Sequence, residues 1–138
     1  MDTSVVVAFM NRRDDHHEPV RRWMDATDED LVTTPLAVAE MDYLAASRGG
    51  PAAAAALRQD LGAGAYGVLW WSGALRETLA MAERYASVPL GLTDASLAAL
   101  AESLGTRRIA TLDERHFRAL RPPGREQGFV LLPVEAPE

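Results

Sequence analysis

The chain has 138 residues and a mass of 15.0 kDa, with 48% hydrophobic and 25% charged residues, the proportions of an ordinary globular protein, which exclude a disordered chain. No apolar run approaches the roughly 18 residues of a membrane span, no basic-then-apolar leader opens the chain, and the absence of cysteine removes disulfides and thiolate metal sites, so a reducing cytoplasm is the expected setting. The net charge of −6 argues against a nucleic-acid partner, because phosphate neutralisation needs cations, but all 14 basic residues are arginine, the better bidentate phosphate ligand.

In chain order, Met1-Asp2 leads into Thr3-Ser4, whose hydroxyls are suited to cap a helix over 5–10. Asn11 to Asp15 forms a polar break. His17, Val20, Trp23 and Met24 then recur at helical spacing and predict a second helix buried on one side. The β-branched run 31–34 predicts a strand, after which Thr34 as cap and Pro35 in the first turn start a helix to about Ser47, ended by Gly49-Gly50. On that helix Leu36, Ala39, Tyr43 and Leu44 form the expected apolar side, with Glu40 within or beside it. A carboxylate there is costly unless it is paired, metal-bound or at the mouth of a cleft.

The alanine-rich stretch 51–61 is a strong helix former. Residues 66–71 predict a short strand, and Ser72 a cap for a long helix through Ala86 with Leu75, Leu79, Met81 and Ala82 toward the core. The adjacent tryptophans are expected in the core or at a dimer surface. Thr93 is the expected cap of a helix from Asp94 to Leu104, closed by Gly105. A strand over 109–112, a short helix over 113–120, a turn at Pro122-Pro123-Gly124 and a strand over 129–134 complete the chain. Strands alternate with helices, and the expected fold class is α/β: one domain over residues 1–138 with a three-layer architecture and a mainly parallel central sheet flanked by helices.

In such a sheet the strand ends and the starts of the following helices share one edge, where α/β proteins place their chemistry. Asp2, Asp94 and Asp113 each stand at such a turn, and Glu40 lies within reach. Four converging carboxylates repel one another and hold protons at neutral pH unless a cation neutralises them. The expected occupant is a hard oxygen-bound divalent ion, Mg²⁺ with Mn²⁺ as a substitute. Such an ion activates water and holds a scissile phosphate, and it reverses the charge of the site. Arg107, Arg108, Arg115, Arg118, Arg121 and Arg125 gather near the last acid and form a candidate backbone-binding surface, with an ordinary solvated face as the equal alternative.

Taken together, Asp2-Thr3-Ser4, Ala39-Glu40, Thr93-Asp94-Ala95 and Thr111-Leu112-Asp113-Glu114-Arg115-His116-Phe117 resemble the PIN domain, specifically the VapC-type toxins of bacterial toxin-antitoxin systems. The resemblance spans essentially the whole chain. It implies that Asp2, Glu40, Asp94 and Asp113 are the acidic site, with Asp2, Asp94 and Asp113 ligating metal and Glu40 completing the shell or orienting the attacking water. It further implies metal-dependent endoribonuclease activity on a structured RNA such as a transfer RNA or a ribosomal RNA loop, homodimerisation, and a cognate VapB-type antitoxin whose tail blocks the site. One departure stands out: the family carries several apolar residues before its first aspartate, and here only Met1 precedes Asp2. A truncated first strand or a start farther upstream is therefore expected.

Two other aspartate-based α/β folds fit less well. A response-regulator receiver and a haloacid-dehalogenase-like phosphatase both use a lysine beside the transferred phosphoryl group, and this chain has none. A non-catalytic PIN module that binds a protein or RNA partner is the remaining alternative, though such a module has no need of mutually repelling carboxylates.

Overall fold

The structure is a computed structural model that describes residues 1–122, 124 and 126–135. Its elements are α1 (Thr3–Met10), α2 (His17–Ala26), β1 (Val32–Thr33), α3 (Pro35–Gly62), β2 (Gly67–Val68), α4 (Ala74–Arg84), α5 (Leu92–Ser103), β3 (Arg108–Ala110), α6 (Glu114–Ala119) and β4 (Val130–Leu132). Among the described residues β1 pairs with β2 and β3 with β4, both parallel, with Val32 opposite Gly67 and Ile109 opposite Leu131.

What joins the two ladders is the first two residues. The Met1 nitrogen donates to Val32 O at 2.6 Å, Thr33 Oγ1 donates to Met1 O at 2.8 Å, and the Asp2 N–H donates to Ala110 O at 2.8 Å. Met1-Asp2 thus lies between the two ladders, in the spatial order β2, β1, residues 1–2, β3, β4. Because the order is parallel, the chain leaves residue 2, β1 and β3 at one common edge, and α1, α3 and the loop before α6 all start there.

The strands are shorter than the apolar runs suggest: the predicted strands over 66–71 and 129–134 contract to two and three residues. Three expected caps also move. Asp2, rather than Thr3 or Ser4, caps α1, its Oδ1 accepting from the Thr3 N–H at 2.7 Å. Gly73, rather than Ser72, precedes α4 at φ 93°, a left-handed conformation that glycine adopts without steric cost. Gly91, not Thr93, flanks the start of α5. α3 runs as one helix broken at Gly50, whose φ of 78° and ψ of −174° are non-helical, so the glycine pair does interrupt the helix at the expected place. Pro51 opens the second half, where its missing N–H costs nothing.

The buried faces of two helices are rotated from expectation. On α3 the buried residues before the break are Ala37, Met41 and Ala45, while Tyr43 is 69% exposed. On α4 they are Ala74, Thr78 and Met81, while Leu75 and Leu79 face solvent. Both helices bury small residues around one methionine, which allows close approach to their neighbours. α4 packs on α5, whose run Ala95 to Ala101 is buried on every side. Trp70 is exposed, and Trp71 donates its indole N–H to Glu77 Oε2 at 2.8 Å; neither is a core residue. Val5, Val6, Val20, Met41, Leu57, Phe117, Leu120 and Leu131 form the centre of the core. The predicted turn at 122–124 includes Pro123, which lies outside the described residues. No helix among the described residues is long and apolar enough to cross a membrane.

Candidate active site

Asp2, Glu40, Asp94 and Asp113 line one open cleft of about 520 Å³ at the common edge of the strands. They come from four separate segments: the residue before α1, the second turn of α3, the first turn of α5, and the residue before α6. Ser4, Asp14, Arg48 and His116 also line the cleft.

Each acid has its own holding contacts. Asp2 is buried and its Oδ2 accepts from Ser4 Oγ and from Thr111 Oγ1 at 2.8 Å. These add to the Thr3 N–H on Oδ1, so a buried carboxylate is matched by three donors, the condition for keeping its charge away from water. Ser4 Oγ in turn accepts the Leu112 N–H at 2.9 Å, and Thr111 Oγ1 accepts the Asp113 N–H at 3.0 Å. Two hydroxyls therefore tie the start of the chain to the loop after β3. Glu40 Oε2 accepts from Thr3 Oγ1 at 3.3 Å.

Asp94 and Asp113 share one partner. His116 Nδ1 stands 2.9 Å from Asp94 Oδ2 and 3.5 Å from Asp113 Oδ2; a carboxylate carries no proton to give, so Nδ1 is the donor. Burial pushes the Asp94 carboxyl above its ordinary value and the Asp2 carboxylate pushes it the same way, with His116 opposing and Asp113 adding a smaller upward push. The cleft is thus a place where negative charge is crowded and incompletely compensated.

The donor set suits a hard divalent cation, being carboxylate oxygen without cysteine. Among the described residues no group of three His, Asp or Glu side chains is arranged to hold an ion: Asp2 is turned toward Thr3, Ser4 and Thr111, Glu40 toward Thr3, and Asp94 and Asp113 toward His116.

The arginines near the last acid are placed otherwise. Arg107 donates to Gly128 O at 3.1 Å, Arg108 pairs with Glu29 at 2.8 Å, and Arg118 pairs with Glu114 and Glu135. Arg121 donates to the carbonyls of Arg118 and Leu120, and Arg125 lies outside the described residues. Arg115 is exposed. None of Arg107, Arg108, Arg115 and Arg118 lines the acid cleft; the arginine that does is Arg48. Arg48 is not singled out by the sequence pattern, and Ser4 and Thr111 stand in the quoted motifs without the role of hydrogen-bond partners of Asp2 that the structure gives them. For Arg48 a signal existed: Glu40, Leu44 and Arg48 follow at four-residue steps and lie along one helix face.

Comparison with known proteins agrees with this architecture. Residues 1–121 match the PIN domain family. The chain is 35% identical to ribonuclease VapC26 of Mycobacterium tuberculosis over 134 residues, covering 96% of this chain and 98% of that protein. Its fold is similar to the crystal structure of VapC20 of Mycobacterium tuberculosis, a sarcin-ricin loop cleaving toxin, with a TM-score of 0.80 over 94% of each chain and 20% identity. A short-stranded parallel layer with acids from four segments at one edge, a match to the family over nearly all of the described residues, and a full-length relative together place the chain in the PIN-domain family, among its VapC-type members.

Proposed function

We propose that this protein is the endoribonuclease toxin of a VapBC-type toxin-antitoxin system, cutting phosphodiester bonds in a structured RNA such as a transfer RNA or a ribosomal RNA loop. The observation that carries the reading is the meeting of Asp2, Glu40, Asp94 and Asp113 in one open cleft of a PIN-family chain. In this reading Asp2, Asp94 and Asp113 hold Mg²⁺, with Mn²⁺ as a substitute. When bound, the ion neutralises the crowded carboxylates, lowers the pKa of water and stabilises charge on the phosphate.

The remaining work belongs to the chain. Ser4 and Thr111 fix the Asp2 carboxylate in one orientation through their hydroxyls, as outer partners do for metal-binding acids. Glu40, held through Thr3 Oγ1, orients the attacking water and takes its proton. His116 Nδ1 spans Asp94 Oδ2 and Asp113 Oδ2 and orients the two side chains relative to each other. The outer surface beyond the cleft, where Arg115 is exposed and Arg107, Arg108 and Arg118 lie on neighbouring segments, is the proposed path of the RNA backbone away from the site.

The partners that follow are a VapB-type antitoxin that occupies the cleft, a second copy of the chain in a homodimer, and RNA, in the cytoplasm. A binding-only PIN module is the competing reading. The crowding at Asp94 speaks against it, since a module without chemistry gains nothing from a carboxylate that the fold disfavours. The deciding experiment is to incubate the protein, freed of antitoxin, with total cellular RNA and Mg²⁺ or Mn²⁺. Discrete cleavage that disappears in Asp94→Asn supports the proposal. No cleavage with either metal, or full activity in Asp94→Asn, overturns it.

A further inference from the structure

The acid cleft is lined by five carboxylates, Asp2, Asp14, Glu40, Asp94 and Asp113, and among its described lining residues Arg48 is the one arginine. Arg48 is exposed, and among the described residues it takes part in no ion pair. On α3 it stands eight residues beyond Glu40, about 12 Å along the same helical face. Its guanidinium is therefore carried by the same cleft, about two turns of helix beyond Glu40.

A second cavity, of about 300 Å³, opens from the first at this point and shares Val7, Asp14, Leu44 and Arg48 with it. Its other walls are apolar or small, with Met10, Ala45 and Ala53 among them, and Asn11 is on its lining. The break at Gly50 shapes it by letting the second half of α3 turn back close to the first. The approach is tight enough that a Cβ on Gly49 would stand 2.5 Å from the Ala53 Cβ. Asn11 Oδ1 accepts from the Arg13 N–H at 3.2 Å, which leaves its amide N–H₂ as the group offered to a ligand.

We infer that Arg48 and this recess form a subsite for one unstacked nucleotide next to the scissile phosphate, with the guanidinium on the flanking phosphate and the base in the recess. The inference rests on the ribonuclease reading of the acid cleft. Three features favour RNA over a protein segment as the occupant. The recess is continuous with the proposed site of phosphodiester cleavage. It presents one cation to a ligand at the point where the two cavities join, which is the charge a phosphate needs and the fork geometry that a phosphate matches. Beyond the cation it offers a mostly apolar slot with the Asn11 amide as a donor and the Asp14 carboxylate as an acceptor, suited to a splayed base that is read on its edge. The Met10 thioether adds a polarizable contact for an aromatic face. Arg48 is a positioning and specificity residue here, and the bond-breaking groups remain those of the acid cleft.

The test uses the full chain and a labelled single-stranded oligoribonucleotide of mixed sequence, with Ca²⁺ in place of Mg²⁺ so that binding is read by anisotropy without turnover. Arg48→Ala is expected to weaken binding about tenfold and to reduce the slope of log affinity against log salt by about 0.7, the share of one phosphate contact on a single strand. Arg48→Lys is expected to restore the slope and part of the affinity. Ala53→Leu, which fills the recess, is expected to weaken binding about tenfold, the scale of one lost base contact, with the salt slope unchanged. Leu44→Ala, which removes a wall, serves the same purpose if the larger side chain disturbs folding. With Mg²⁺ the losses should fall on KM rather than kcat. An unchanged salt slope in Arg48→Ala overturns the inference, as do wild-type affinity in both recess variants, no binding by the wild type, or losses confined to antitoxin binding. Wild-type protein that binds through Arg48 but cuts no RNA would instead sink the ribonuclease reading and leave the subsite standing.

Discussion

Thr111 Oγ1 donates a hydrogen bond to Asp2 Oδ2 across 2.8 Å, joining residues 109 positions apart, both buried. The same oxygen accepts the Asp113 N–H, so one hydroxyl sets the orientation of two of the four acids. Thr111→Val keeps the shape and removes the donor, leaving Asp2 short of a partner and the Asp113 N–H without an acceptor. The expected stability loss is about 1–3 kcal/mol, and the expected loss of RNA cleavage is about 10–100-fold, the range for an outer partner of a metal-binding group. Thr111→Ser should recover most of both. Thermal unfolding and cleavage rates of the two variants check this, and equal behaviour of Val and Ser would remove Thr111 from the site.

The raised Asp94 carboxyl makes a prediction about pH in metal-free solution. Its causes are burial first and the Asp2 carboxylate second, relieved in part by His116. A carboxyl whose folded value lies above its unfolded value binds its proton more tightly in the folded state. Its ionisation therefore costs stability as pH rises through that folded value, and the cost is absent below the ordinary value of 3.8. Asp94→Asn abolishes this cost while keeping a hydrogen-bond acceptor for His116. In EDTA the variant should melt above the wild type at neutral pH, and the difference should shrink as the solution is acidified toward pH 3.8. A variant less stable than the wild type at neutral pH would show that the crowding is already compensated.

The same crowding predicts linkage between metal and folding. If Asp2, Asp94 and Asp113 bind Mg²⁺ only when the fold brings them together, an ion present at about 100 times its dissociation constant adds about 2.7 kcal/mol to stability. The wild type should therefore melt at a higher temperature with Mg²⁺ than with EDTA, and Asp113→Asn should lose most of that rise. Melting that is indifferent to Mg²⁺ in the wild type would count against the proposed metal site.

Much of the architecture was legible in the chain, and each miss has its own physical cause. The alternation of elements, the helix break at Gly49-Gly50 and the placement of Asp2, Glu40, Asp94 and Asp113 near strand ends all follow from local signals that act over a few residues. The faces of α3 and α4 did not. Pattern reading ranks leucine and tyrosine above alanine and threonine, so Tyr43, Leu75 and Leu79 looked buried; the neighbouring helices accept only small side chains, and Ala37, Thr78 and Ala74 take those positions instead. The hydroxyls of Ser4 and Thr111 were illegible for a different reason. A serine or threonine can serve any acceptor that the fold brings near, and the partner of Thr111 is at the other end of the chain. Arg48 was legible by spacing but was masked by the arginine-rich stretch after residue 106, where Arg108 and Arg118 are committed to internal ion pairs.

Thr78 offers a prediction that separates stability from activity. It is fully buried on α4, and its hydroxyl has no hydrogen-bond partner among the described residues. Leaving a buried hydroxyl unpaired costs about 1–3 kcal/mol, whereas an apolar group of the same shape avoids that cost. Valine is that group, and as a β-branched residue in a helix it keeps the rotamer restriction that threonine already imposes. Thr78→Val should therefore raise stability by about 1 kcal/mol, a gain of roughly 4 °C in the unfolding midpoint for a chain of this size. Thr78 does not line the acid cleft, so cleavage at a temperature where both forms are folded should stay at the wild-type rate. A drop in stability would mean that the hydroxyl is satisfied by water entering between α4 and its neighbours. A drop in activity at unchanged stability would mean that the packing of α4 on α5 sets the position of Asp94, because α5 is the element that carries that acid into the cleft.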